Sequence, residues 1–405
     1  DLINIVYLSW LRDPVVTAAV GYAGAVLFFT TSFGIGISIG VSAVVARALG
    51  QGEAALGRRR GTNGLVLGLG LGVGFTAVVW ALLGPIVTLL GATGPTAQAT
   101  VQYLNLSMLG QPLLMLGITG AGVLRAHGDA RGALMVTVWG AVALAIADPI
   151  LIFGFGWGLS GAAWAANLSR LVIAGMALWP LWRHHGGFSR VTGAELLGDG
   201  RAMAAIAGPA ILTQVATPVG QAFVTRLIAP FGEAAVAGMA ITGRLTPVAL
   251  GVIFALAGAV GPIVGQNAGA GRMDRVRRAI WDSVIFTAVV ISLVTMALFA
   301  LRGPIADLFH AEGVTRDLVY LFCGPLALLF FFNGLLFISN AACNNLGRPF
   351  LSTLLNWGRN TLGTVPFALW FSGIRGAEGV LIGQGVGGVI FGIVSLWLVF
   401  RVVDH

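Results

Sequence analysis

Asp148, followed directly by Pro149, is the one carboxylate lying well inside a complete apolar stretch of this 405-residue chain. Holding a carboxylate at the centre of a bilayer is costly, and residues of this kind usually serve the movement of ions or substrates. Withdrawal from water favours the protonated form of a carboxylic acid, which is the property a proton carrier needs. A second reading stays open, in which the acid satisfies or caps the helix kink beside Pro149. Asp1, about one turn from Asn4 at the start of the chain, is a further candidate acid. Three arginines also fall inside apolar stretches: Arg170, Arg244 and Arg359. If Arg244 and Arg359 face a cavity, they repel cations and welcome anionic or zwitterionic molecules; if not, they bind backbone carbonyls or reach toward an interface. Asn105, Gln111, Gln214, Gln221, Asn333, Asn356 and Asn360 are uncharged polar candidates for a cavity wall. Phe28, Phe29, Trp139 and Phe254 could stack on a planar compound or simply pack.

Other chemistry is disfavoured by residue type. A phosphate-binding P-loop needs a lysine, and the chain has none, its 23 basic residues all being arginine. Gly34, Gly36 and Gly40, and the glycines from Gly68 to Gly74, sit inside apolar spans, where small residues let helices approach. Cys323 and Cys343 stand 20 residues apart with no second pair to complete a metal site. His184 and His185 have no cysteine or carboxylate at ligand spacing and read as a solvated loop pair. No resident cofactor or metal is expected, and no His/Cys/Asp/Glu cluster or nucleophile–base arrangement suggests an enzyme. The net charge of +8 suits loops facing anionic lipid better than nucleic acid, since no aromatic–basic recognition patch is present.

These groups must be positioned by membrane helices. With 57% hydrophobic and 9% charged residues, too little polar surface remains for a soluble domain of this length. Apolar runs able to cross about 30 Å of hydrocarbon fall at 16–46, 63–83, 99–124, 133–153, 162–182, 203–226, 235–265, 280–301, 319–342, 351–371 and 380–400. Residues 1–11 are apolar but too short to span, and are expected to be the outer end of a truncated first helix. Loops near 47–60, 125–131, 183–201, 272–278 and 348, with the tail at Arg401, hold most of the arginines. The positive-inside rule makes that side cytoplasmic, and both termini with it. Residues 186–200 read as a cytoplasmic linker between lobes at 1–185 and 201–405, with a short amphipathic stretch around Glu195-Leu196-Leu197. Pro112, Pro149, Pro209, Pro218, Pro247, Pro262, Pro325 and Pro366 remove backbone hydrogen bonds within spans, which predicts bent helices around a wet interior.

The chain also repeats itself at an offset of 219 residues. Gly50, Gly52, Arg58 and Arg59 map onto Gly269, Gly271, Arg277 and Arg278, and the loop Arg125-Ala126-His127-Gly128-Asp129 maps onto Asn344-Asn345-Leu346-Gly347-Arg348. Such duplication in a membrane protein usually means two bundles enclosing a pathway. With six helices per repeat, the two bundles have the same orientation.

Six segments, in order, resemble the multidrug and toxic compound extrusion (MATE) family, part of a superfamily that also holds lipid and polysaccharide flippases. They are Ala18-Ala19-Val20-Gly21, Ala46-Arg47-Ala48-Leu49-Gly50-Gln51-Gly52, Arg125-Ala126-His127-Gly128-Asp129, Asp148-Pro149-Ile150-Leu151-Ile152-Phe153, Gly158-Leu159-Ser160-Gly161-Ala162-Ala163-Trp164-Ala165 and Val264-Gly265-Gln266-Asn267-Ala268-Gly269-Ala270-Gly271. The resemblance implies an all-α fold of twelve helices in two pseudo-twofold-related six-helix lobes. It further implies a multi-pass monomer of the bacterial inner membrane that exports small amphipathic, cationic compounds in exchange for H⁺ or Na⁺. Departures are specific. Asn4 stands where the family commonly has a coupling aspartate, Leu144 where it has asparagine, and Ala166 where it has threonine. Gln214, Gln221 and Asn333 replace carboxylates that some members carry in the second half. Coupling is therefore expected to rest on Asp148, with Asp1 as a possible helper, and the substrate cavity on Gln111, Trp139, Gln214, Gln221, Arg244, Asn333 and Arg359. The alternative is a flippase for lipid-linked precursors, whose pyrophosphate the arginines would bind.

Overall fold

The computed structural model describes Tyr7 and residues 14–404, and the regular structure of the described residues is helical throughout. Asp1 and Asn4 lie outside the described residues. The chain divides into two compact units, Asp1–Ile211 and Leu212–His405.

The first unit holds α1 (Pro14–Gly50), α2 (Ala54–Ala81), the short α3 (Leu83–Leu89), α4 (Gly94–Ser107), α5 (Gln111–Ala126), α6 (Ala130–Pro149) and α7 (Gly158–His184). Helix α8 (Gly193–Ile228) carries the division between units. The second unit continues with α9 (Glu233–Gly269), α10 (Met273–Leu308), α11 (Gly313–Cys323), α12 (Phe330–Asn345), α13 (Pro349–Asn360), α14 (Val365–Arg375) and α15 (Ala377–Asp404). Among the described residues, ten stretches are long and apolar enough to cross a membrane.

The expected span at 351–371 is not one helix. It breaks between α13 and α14 over residues 361–364. Pro366 has no N–H to continue an α-helical ladder across this point. The turn is closed instead by the Gly363 N–H on the Gly358 carbonyl at 2.8 Å, the Val365 N–H on Thr361 at 2.8 Å and the Thr364 hydroxyl on the Arg359 carbonyl at 2.9 Å. In lipid freed backbone groups must be satisfied internally, and these bonds meet the Gly358, Arg359 and Thr361 carbonyls. Helix α8 likewise starts earlier than the sequence suggests. The stretch around Glu195 is its first turn, so the irregular connection shrinks to residues 185–192.

Glycine allows the close packing. On α1, Gly34 faces Met115, Gly36 faces Ile211 and Gly40 faces Ala207, and a Cβ at any of them would crowd its neighbour. Gly68 and Gly72 on α2 face Thr119 and Met115 of α5, so these residues are helix contacts and not ligand loops. Leu134, Ile146, Leu171, Trp179 and Trp182 point outward from the first unit, an apolar exterior of the kind lipid requires.

The duplication is visible in the backbone. Gly52 and Gly271 both take positive φ, 82° and 70°, as do Gly128 and Gly347, 82° and 80°; only glycine adopts this conformation cheaply. The same turn bonds recur in each unit. Glu53 N–H to Ala48 has its counterpart in Arg272 N–H to Asn267, and Asp129 N–H to Leu124 in Arg348 N–H to Cys343. The Thr100 hydroxyl donates to the Ala19 carbonyl, and Thr315 donates to Ala234 in the same way.

The start of α8 is held to α2 by charge. Asp199, buried at 4% exposure, accepts from Arg59 at 3.3 Å, from Arg60 at 3.4 Å and from the Asn63 amide at 2.8 Å. Arg59 also meets Glu195 at 3.0 Å. This explains part of the basic run, since two of its three arginines neutralise a buried acid.

Candidate functional site

Asp148 sits at the last turn of α6 and is fully buried. Pro149 cannot donate to the carbonyl one turn back, and the chain widens into a π turn over Ile150–Gly154, where the Phe155 N–H reaches Ile150 at 2.9 Å. π turns of this kind are frequent at functional sites. Gly161 on α7 lies flat against the Leu151 and Ile152 backbone, closing the turn from the other side. Leu144, Ala147, Ala165, Leu151 and Ala166 pack around it. The two positions where the family is commonly polar, Leu144 and Ala166, are thus part of an apolar wall beside the acid.

Polar groups approach from α4 and α7 instead. The Tyr103 phenol, 4% exposed, lies within electrostatic range of both Asp148 and Arg170. Arg170, also buried, donates to the Ser107 carbonyl at the end of α4 and to Asn167 Oδ1 at 3.2 Å. Asn167 completes the link by donating to the Leu106 carbonyl at 2.8 Å. The carbonyls of Leu106 and Ser107 are available because α4 stops at Ser107 and passes through a 3-10 turn, Met108–Gly110, before α5. Gly110 is required here, since a side chain would strike Asn167 and Arg170. Just beyond, Gln111 is 1% exposed, donates to the Thr30 hydroxyl and leaves its Oε1 without a hydrogen bond. In so dry a setting, the charge state of the acid bears on the field at the phenol.

The second unit has its own polar cluster. Arg359 Nη1 donates to Asn333 Oδ1 at 2.8 Å. The Gln384 amide approaches Gln221 Oε1 at 3.4 Å, and Asn360 donates back to the Asn356 carbonyl. Asn333 lies in the first turn of α12, just after the 3-10 segment Pro325–Leu329, as Gln111 opens α5 after the corresponding break. The remaining expected cavity residues are dispersed. Trp139 and Arg244 lie on the exposed surface of their own units, and Gln214 is half-buried. Sequence reading missed Tyr103, Asn167 and Gln384. Asn167 and Arg170 share a helix face at three-residue spacing, which was the available signal. For Tyr103 and Gln384 no local signal existed.

A separate titratable cluster closes the connection after α7. Asp129 caps α6, its Oδ1 accepting the Gly132 N–H at 2.7 Å while Oδ2 meets His185 Nε2 at 3.1 Å. The His127 and His185 rings are 4.8 Å apart. His184 is exposed, but His185 is half-buried and in hydrogen-bond contact with Asp129 rather than solvated, because the chain turns back over α5 at Gly186 and Gly187. Burial pushes His127 below the ordinary histidine value of 6.5. Burial raises Asp129, but the Gly132 N–H and His185 outweigh it and hold the carboxyl below 3.8. Both groups therefore contribute stability that is full above their ordinary values and is lost as pH falls, the histidine first. Hydrogen exchange at residues 186–189, corrected for intrinsic rate, is expected to quicken from about pH 7.5 to about pH 5.5, and less so in His127→Gln. Equal protection at both pH values would contradict the assignment.

The fold and these clusters define a class: an integral membrane protein that keeps polar and charged groups inside two helical units. The MatE family model matches residues 1–150 and 209–370, and the chain belongs to that family. It is similar to the FAD transporter of Shewanella oneidensis, 28% identical over 96% of this chain and 87% of that protein. It also resembles the probable multidrug resistance protein NorM of Deinococcus radiodurans, 28% identical over 71% of this chain and 63% of the relative. Among solved structures, a mutant of the Vibrio cholerae MATE transporter VcmN superposes with a TM-score of 0.94 over 99% of this chain and 91% of that one, at 24% identity. The twelve-helix MATE fold is thereby assigned, and the protein is a multi-pass membrane transporter of small molecules, not an enzyme.

Proposed function

We propose that the protein is a secondary active exporter in the bacterial inner membrane, with both termini cytoplasmic, that moves small amphipathic molecules outward by alternating access in exchange for H⁺ or Na⁺. The observation that carries the reading is the complete burial of Asp148 at a π turn, within electrostatic range of Tyr103. An acid in this position is retained at a cost to stability, which a coupling role explains. Asp148 serves as the ion-binding group of the first unit, and protonation changes its interaction with Tyr103.

Two substrate classes are supported by different observations. The relatives named for multidrug resistance or export favour drug-like compounds, which the family resemblance implies are cationic amphiphiles, whereas the relative named as an FAD transporter favours a planar ring bearing phosphate. A flippase for lipid-linked precursors is the second functional reading, favoured by Arg359 inside the second unit. Purified protein in liposomes, loaded in turn with ethidium and FAD, tests all of these under separate pH and sodium gradients. Gradient-driven movement of either probe supports the exporter. Movement of neither, together with competition by a lipid-linked sugar for probe binding, supports the flippase and overturns it.

A further inference from the structure

We infer that the guanidinium of Arg359, set at the break between α13 and α14, recognises a phosphate group on the transported molecule. Arg359 occupies the last turn of α13, one residue before the chain leaves the helix. Its Nη1 is fixed by Asn333 Oδ1, but its buried Nε has no hydrogen-bond partner. The edge formed by Nε and Nη2 is the fork that matches two oxygens of a phosphate or carboxylate. Buried donors are rarely left unmet, so a site with an open fork is built for an acceptor that comes and goes.

The charge is as open as the fork. Among the described residues no carboxylate forms an ion pair with Arg359. Asp274, Asp282, Asp307, Glu378 and Asp404 are each placed against other arginines. The surroundings are amides, not acids. Asn333 packs on Gly388, one turn beyond Gln384 on α15, and Gln384 meets Gln221. Asn360 fills the notch at Gly220, next to Gln221. A neutral amide lining holds an arginine in place without neutralising it. A cationic ligand would be repelled here, and an anionic one gains the whole charge in a low-dielectric setting. The broken helix supports the same assignment, since interrupted helices in membrane transporters border binding sites.

This inference rests on the exporter reading for its substrate, but it is tested by equilibrium binding with no gradient, so the two can fail separately. The probes are FMN and riboflavin, which share a ring and differ by one phosphate, read by flavin fluorescence with the full chain in phosphatidylcholine nanodiscs. FMN is expected to bind about tenfold tighter than riboflavin. Arg359→Gln is expected to bring the two affinities together by weakening FMN alone, while Arg359→Lys keeps part of the preference. Equal affinities in the unaltered protein overturn the inference without needing any variant to fold. A preference that survives Arg359→Gln in a protein with unchanged unfolding temperature also overturns it. Repeating the measurement in discs containing phosphatidylglycerol separates the sources of phosphate: selective loss of FMN binding there gives the site to a lipid headgroup, and no loss gives it to a soluble phosphate.

Discussion

Asp148→Asn is expected to abolish accumulation driven by a pH gradient while leaving the fold intact. Asparagine keeps the shape and the hydrogen-bonding capacity of the side chain but cannot exchange a proton. If one proton moves per substrate, a gradient of one pH unit supplies about 1.4 kcal/mol, enough to sustain about a tenfold concentration difference. In the variant that ratio should collapse to about one, while facilitated equilibration of the same probe continues. The apolar wall of Leu144, Ala147 and Ala165 leaves no other acid among the described residues of that pocket to substitute. Unaltered pH-driven accumulation in Asp148→Asn would remove this residue from coupling. Accumulation driven by sodium alone in the unaltered protein, and lost in Asp148→Asn, would show that the site binds the metal ion instead of the proton.

The second large effect is steric. Gly387 on α15 lies directly against the Gly363 carbonyl in the α13–α14 break, with no room for a Cβ. Gly363 in turn packs on the Phe391 ring and on Gly387 itself. Both sides of this contact are backbone, so neither can rotate away. Gly387→Val is expected to push α15 off the break and cost about 3 kcal/mol, at the upper end of overpacking effects. Gly373→Val on α14, where nothing lies within 4 Å of the added Cβ, is the control and should be near neutral. Thermal unfolding in detergent separates them. Equal unfolding temperatures for the two variants would show that the α13–α15 contact is softer than its geometry suggests.

Membrane class, approximate spans and internal duplication were legible because each depends on local or repeated chemistry. Apolar run lengths are fixed by bilayer thickness, and turns such as Gly52 and Gly271 need glycine wherever they occur. The importance of Asp148-Pro149 was also readable, since a buried acid and a missing N–H are anomalies at the residue level. The interruption at 361–364 was harder to see. Pro366 marked a disturbance, but whether a membrane helix bends or breaks depends on what can satisfy backbone carbonyls there, and the Thr364 hydroxyl and the Gly363 N–H meet those of Arg359 and Gly358. His185 was misjudged for a similar reason, because its partner Asp129 is 56 residues away.

By itself the sequence determined what kind of solvent this chain inhabits, how many times it repeats, and which charges are out of place in lipid. Only the tertiary structure decided which of those charges meet. It brings Tyr103 within electrostatic range of both Asp148 and Arg170, leaves Trp139 and Arg244 at the surface of their units, and joins Arg359 to Asn333 across 26 positions of sequence. Hydrophobicity is summed along the chain and survives without a partner, whereas a hydrogen bond or an ion pair exists only between groups brought within a few ångströms of each other. The packing that brings them there is selected by glycines and helix breaks acting together, not by any one segment alone.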